Sequence, residues 1–195
     1  MSAPTAHQHF ILYKPDGYLS QFVNNQTKRK NKKLLGELFH FPEGTMAIGR
    51  LDEPSEGLLL LTTDGKTSEF IRSEKVEKEY YAQLDGIIDE TAMEKLRKGV
   101  SIATESGIYT TKKCRVIKLE TAPVLPPRNK RIRDERHGPT SWISVTLTEG
   151  KYRQVRKMTA VVGFPTLRLV RVRIGNIRIA GMKPRQVNTV TEFDV

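Results

Sequence analysis

The sequence predicts an α+β domain, and three patterns carry that expectation. Lys78 to Leu84 and Ser141 to Leu147 alternate between two faces with the period of a strand. Leu58 to Leu61 is apolar on both faces, which suits a strand in the middle of a sheet covered on both sides. The clearest helical spacing falls in two short stretches: residues 90–98, and Val155, Met158, Thr159 and Val162 at i, i+3, i+4 and i+7. At 195 residues the chain can bury a sizeable core, as one domain or as two lobes sharing one sheet.

Residues 1–9 are polar and read as a flexible tail, ahead of a domain over residues 10–195. Phe10 to Tyr13 reads as a strand closed by the turn Lys14-Pro15-Asp16-Gly17. Lys28 to Lys33 holds five basic residues in six positions, which reads equally as a solvated loop or a phosphate contact. Leu34, Leu35 and Leu38 suggest a short helix before Pro42. After the Leu58 strand, Asp64-Gly65 turns the chain and Thr67 to Ile71 makes a helical turn. Asp89 caps the helix over 90–98, with Met93 and Leu96 on its buried side and Gly99 as its stop.

Short strands are expected near Val100, near Tyr109 and over Cys114 to Ile117. In residues 123–140, Pro123, Pro126, Pro127 and Pro139 bracket Arg128, Lys130, Arg131, Arg133 and Arg136 with hardly an apolar residue between. Such a stretch cannot pack a core, so it is expected to be an exposed basic loop, either touching RNA or linking two lobes. Glu149-Gly150 then turns into the last helix, which Gly163 and Pro165 end. Leu167 to Ile174 returns as a strand bearing Arg168, Arg171 and Arg173, and Gly175-Asn176 makes the next turn.

Thirty-three Lys and Arg against 22 Asp and Glu leave a net charge of +11, so a polyanion is the natural partner and nucleic acid the first suspect. The longest aliphatic run is four residues, far short of the ~20 that cross a bilayer, so no membrane role is expected. Met1 to Phe10 lacks the apolar core of a signal peptide, and the lone Cys114 makes no internal disulfide, which points to a cytoplasmic protein. His7, His9, His40 and His137 are dispersed without Cys or carboxylate partners at ligand spacing, so no metal is expected.

One acid stands apart. Asp52 lies in the Gly-bounded loop Gly49-Arg50-Leu51-Asp52-Glu53-Pro54-Ser55-Glu56-Gly57, directly before the apolar strand. From spacing alone it is a turn former or a cap. Yet Gly49-Arg50-Leu51-Asp52, followed by Gly57 to Thr62 and by Asp64-Gly65, resembles the catalytic motif of the pseudouridine synthases. The likeness is to the branch that modifies small- and large-subunit rRNA, in which that Asp is essential. Two further segments resemble the same family in its own order: Lys78-Glu79-Tyr80, and Gly150 to Arg156. Arg153 and the stretches Pro139 to Trp142 and Gly163 to Leu169 are most similar to a short member that modifies one uridine in 23S rRNA.

The resemblance implies a mixed, mostly antiparallel central sheet with flanking helices and a central cleft. It implies a monomer acting on 23S rRNA or a large-subunit assembly particle, without cofactor, metal or protein partner. The branch often carries an S4-type RNA-binding domain before the first strand, and none is expected ahead of Phe10. Asp52 becomes the catalytic carboxylate, attacking C1′, taking the C2′ proton or adding to C6 of the base; the sequence leaves these open. Tyr80 becomes the face against the uracil. Arg156, with Arg153 second, becomes the cation that keeps Asp52 ionised.

Arg50 is the residue that extrudes the base or fills its gap. Lys78, Lys151, Arg153, Gln154, Arg128, Arg131 and Arg133 complete the expected RNA contacts. A non-catalytic rRNA-binding or assembly factor is the rival reading, and it predicts loss of Asp52, Tyr80 or the basic partner; all are present.

Overall fold

The computed structural model describes residues 6–23, 31–128, 130–132 and 135–195. The first strand, β1 (His9–Lys14), starts one residue before the expected boundary, and Gln8 already exchanges hydrogen bonds with Thr63. Residues 1–5 lie outside the described residues. A short β2 (Met46–Ala47) precedes β3 (Glu56–Thr62), every residue of which is buried. Helix α1 (Gly65–Arg72) is longer than the single turn expected, because Asp64 caps it by accepting from Lys66 N and Thr67 Oγ1.

Next come β4 (Lys78–Asp85) and α2 (Glu90–Lys98), capped by Asp89 and stopped at Gly99 as the sequence predicts. A hairpin, β5 (Ser101–Thr104) and β6 (Gly107–Thr110), leads to β7 (Arg115–Leu119), β8 (Thr140–Leu147), α3 (Gln154–Val161) and β9 (Thr166–Ile174). The chain ends through β10 (Ile177–Arg178) and β11 (Val187–Val190).

The main sheet has the order β11-β1-β3-β9-β4-β8-β7, with β2 and β10 as side pairings on β3 and β9. Every pairing is antiparallel except β3 with β9, so the architecture is the mixed, mostly antiparallel sheet that was expected. That one parallel seam pairs Glu56 with Val170 and Gly57 with Arg171. A Cβ on Gly57 would stand 2.3 Å from the Arg171 carbonyl oxygen, and its φ is +106°, so only glycine lets the two backbones come this close.

The continuous apolar run of β3 has its reason in the layers. Leu58 and Leu60 join Tyr13, Ile71, Val170 and Ile174 in one core, while Leu59 and Leu61 join Phe10, Leu12 and Leu35 in another on the opposite face. A third core lies across the seam, where α2 and α3 bring Met93, Leu96, Val155 and Met158 onto Ala82, Leu84, Ile143 and Val145. Three helices and a loop-covered face therefore hold a sheet whose middle is buried.

The segment after β7 corrects an expectation. Leu125 packs against the Leu58 core, and Pro126 O accepts from Arg168 Nη2 at 2.8 Å. Arg128 is not an exposed RNA contact: its side chain is buried between Asp16 (3.3 Å) and Glu56 (3.7 Å) and donates to Pro54 O. Two carboxylates within reach outweigh the loop-like composition and fold this end of the segment onto the seam.

Candidate active site

Asp52 follows Leu51, whose backbone is clamped to Ser20 Oγ in both directions, and its carbonyl accepts from Ser55 N. The loop is held further by Lys14, a fully buried residue whose Nζ donates to the carbonyls of Pro15, Glu53 and Ser55. Burial pushes the Lys14 amine down to about 7, against the opposing pull of Asp16, Glu56, Asp52 and Glu53. A rigid scaffold thus presents the carboxylate.

Asp52 borders a cavity of about 350 Å³ whose walls include Arg50, Ser55, Lys78, Tyr80, Arg153 and Arg171. Its Oδ2 lies 3.6 Å from Arg153 Nη1 and 3.6 Å from Arg156 Nε. The two arginines differ in how they are held. Arg156 has a side chain only 11% exposed and donates to Thr166 O and Ser55 Oγ, whereas Arg153 is 37% exposed. Burial lowers the pKa of Arg156, and Asp52 is the first opposing influence.

Arg153 sits at the start of α3 with φ +54°, a left-handed conformation uncommon for a non-glycine residue. The turn before it is fixed by Glu149, buried, which accepts from Tyr109 Oη, Lys112 N and Gln154 Nε2; Gln154 Oε1 in turn accepts from Lys151 N. Backbone strain at Arg153 is therefore held by a hydrogen-bonded turn that aims the residue at Asp52.

The other expected residues divide. Tyr80 and Lys78 lie in the cavity wall, Lys78 with its ammonium on the carbonyls of Ser73 and Thr148. Burial, then the charge of Arg171, brings the Lys78 amine down to about 8. Arg50 and Lys151 line the mouth and are exposed, with Lys151 Nζ over the Tyr109 ring at 4.7 Å. Gln154 borders the cavity, but both ends of its amide are engaged within the protein.

Arg131 is exposed and far from alone in its contacts, and Arg133 lies outside the described residues. Of the basic run at 28–33, residues 28–30 also lie outside; Lys32 is paired with Glu53, and Lys33 stands over the Tyr18 ring. Sequence reasoning missed Lys14, Ser55, Glu149 and Arg171. The one signal for Arg171 and Lys14 is a charged residue inside a stretch that must be a central strand.

Among the described residues no group of three or more His, Cys, Asp or Glu could hold a metal ion, and no helix is long and apolar enough to cross a membrane. With Glu149 engaged in its turn, the arrangement offers one carboxylate free of hydrogen-bonded partners, two flanking cations and an aromatic wall, which suits acid–base or nucleophilic work on a flat polar ring.

Comparison with known proteins agrees. Residues 8–161 match the family model described as RNA pseudouridylate synthase, and the chain belongs to that family. It is 43% identical over 178 residues to the ribosomal large subunit pseudouridine synthase E of Xanthomonas campestris pv. campestris, covering 90% of this chain and 91% of that one. The protein of the same name from Vibrio parahaemolyticus is 40% identical, with 90% and 71% covered. Among solved structures, one titled a pseudouridylate synthase superposes with a TM-score of 0.73 at 24% identity, covering 97% of this chain and 73% of the other, which supports the fold.

Proposed function

We propose that this protein isomerises a specific uridine of large-subunit (23S) rRNA to pseudouridine, with Asp52 acting on a uridine flipped out of its helix into the cavity. One observation carries the reading: Asp52 faces a cavity of about 350 Å³ with two guanidiniums 3.6 Å from the same oxygen, while the other acid of the lining, Glu149, is taken up by Tyr109, Lys112 and Gln154. That volume falls at the lower end of small-molecule sites, about 300–1,000 Å³, and suits one nucleoside.

The isomerisation changes no oxidation state and transfers no group to or from the enzyme's surroundings, so one positioned carboxylate suffices. Arg156, the better anchored cation, sets a fixed positive charge beside the Asp52 carboxylate, and Arg153 stands beside it nearer the mouth. Tyr80 presents its ring to the uracil. Arg50, exposed at the mouth, takes the place of the extruded base, while Lys78 and Gln154 hold the wall and Lys151 and Arg131 meet backbone phosphates.

The enzyme acts as a cytoplasmic monomer on free rRNA or an assembly particle, with no protein partner and no cofactor. Relatives at 40–43% identity bearing the large-subunit rRNA name support this choice of substrate.

The test is to map pseudouridines across rRNA from cells with and without the protein, then to assay the purified chain on the fragment that differs. One site is expected to vanish with the protein. A pseudouridine map that does not change would sink the proposal.

A further inference from the structure

Arg171 lines the same cavity and has no part in the scheme above. It is 4% exposed, and its Nε donates to Leu58 O at 2.7 Å, which fixes the guanidinium against β3. Its Nη2 is buried with no hydrogen-bond partner, and among the described residues no carboxylate lies within ion-pair distance of it. A charge so placed is costly to a fold unless something else uses it. The seam and the strand carbonyl explain the Nε; nothing in the protein explains the rest.

Its neighbours indicate what does. Arg171 pairs in register with Tyr80, and its Cζ lies 6.0 Å from the Tyr80 ring centroid. Lys78, two residues before Tyr80 on β4, adds a second buried cation to the same wall, with carbonyls and no acid as its partners. Two buried cations with donors thus stand beside the aromatic face, and the acid of the lining other than Asp52, Glu149, is taken up by Tyr109, Lys112 and Gln154.

We infer that the Arg171 guanidinium is a catalytic hydrogen-bond donor to a carbonyl oxygen of the target uracil. The inference rests on the pseudouridine reading. When the N1–C1′ bond breaks, its electron pair stays with the ring and spreads to O2 and O4; the pair that forms C5–C1′ comes from that same ring. The C5 proton then leaves to solvent and N1 gains one, so nothing is consumed. If Asp52 instead adds to C6, the displaced pair again reaches the O4 side. On every route negative charge develops on an imide oxygen, where a fixed cationic donor is most effective. Uridine itself is neutral, so the benefit falls on the transition state more than on binding.

The experiment uses the full chain, the mapped rRNA fragment, and the same fragment with 2-thiouridine or 4-thiouridine at the target, since sulfur is a poor acceptor. Single-turnover rates, RNA affinity and thermal stability are measured for the parent, Arg171→Met and Arg171→Lys. In Arg171→Met the rate is expected to fall by about 10²–10³-fold, as for loss of one oxyanion donor, with RNA affinity within about threefold. Arg171→Lys is expected to recover part of it.

One thio substitution is expected to slow the parent at least about tenfold and to matter far less in either variant, a dependence that a purely structural arginine would not produce. A parent indifferent to both thio substitutions, or variants slowed by them as much as the parent, overturns the assignment, and this holds even if Arg171→Met fails to fold. A parent inert on every unmodified fragment overturns the functional reading itself, and this inference with it.

Discussion

Asp52 and Glu56 stand four residues apart, each facing two arginines, and the two clusters have opposite characters. Glu56 receives Arg168 through two bonds, Nε at 3.0 Å and Nη2 at 2.9 Å, with Arg128 at 3.7 Å and Asp16 beyond it. Every member is buried, and Arg168 is further tied to Pro126 O. Asp52 keeps both its arginines at 3.6 Å, accepts no hydrogen bond from its side among the described residues, and borders open space. The first is a clasp across the parallel seam, its carboxylate bonded twice by Arg168, although Arg128 Nε, like Arg156 Nε, is buried without a hydrogen-bond partner. The second neutralises charge without saturating the carboxylate, which is the arrangement the proposed chemistry needs.

The sharpest break in that comparison is a pair of isosteric changes. Asp52→Asn is expected to lower pseudouridine formation by at least about a thousandfold, in the range of losing a catalytic nucleophile. Tritium release from C5-labelled RNA measures it, while melting temperature and RNA affinity stay close to the parent. Glu56→Gln is expected to do the reverse. It strands Arg168 and Arg128 in a buried site at a cost of about 3–5 kcal/mol, seen in urea titration, with the activity of the remaining folded protein largely kept. If Glu56→Gln kills turnover in fully folded protein, the clasp belongs to the chemistry and the division fails.

Within the open cluster the two arginines are expected to differ by their anchoring. Removing either cation is expected to slow turnover, because the carboxylate loses a fixed counter-charge. Arg156→Ala is expected to cost more than Arg153→Ala, since Arg156 is the more buried and is held by Ser55 and Thr166. Arg156→Lys keeps a charge but loses the fork and is expected to fall between. Single-turnover rates measured beside RNA affinities decide the order; an Arg156→Ala that loses only affinity makes Arg156 a phosphate contact.

Much of this was legible in the chain. Period-2 alternation gave β4 and β8, and Asp89 with Gly99 gave the ends of α2, because those elements are set by local pattern and capping. The nearness of Arg156 to Asp52 was legible only through likeness to a family, since spacing does not say which cation an acid in a loop will meet. What was not legible was pairing at a distance. Arg128 reads as a loop residue until Asp16 and Glu56, over a hundred and over seventy positions away, are brought beside it. Arg168, Arg171 and Arg173 are simply charges borne on a strand until β9 is placed at the centre of the sheet. A strand's period tells which residues share a face; it does not tell what that face meets.

Lys14 joins the two clusters and supplies the most gradual expected effect, spread over several pH units. Its Nζ bonds the carbonyls of Glu53 and Ser55, the stretch of loop between the two carboxylates, and its amine is held down to about 7 by burial. In the unfolded chain the same amine titrates near 10.5. Between those values the unfolded state carries a proton that the folded state lacks, so stability rises with pH through the window from about 7 toward 10.5, by at most about 1.4 kcal/mol per pH unit. Below pH 7 both states are charged and this contribution is flat. Other groups titrate in the same range, so the quantity to measure is the difference in urea unfolding free energy between the parent and Lys14→Met at pH 6.5, 7.5, 8.5 and 9.5. Lys14→Met is expected to be the less stable at every pH, because it leaves three buried carbonyls without their donor. The gap is expected to widen as pH rises. A gap that stays constant means the amine remains an ammonium throughout, with Asp16, Glu56 and the three carbonyls outweighing its burial; Lys14 then belongs to the saturated cluster as a permanent charge rather than to the boundary between the two.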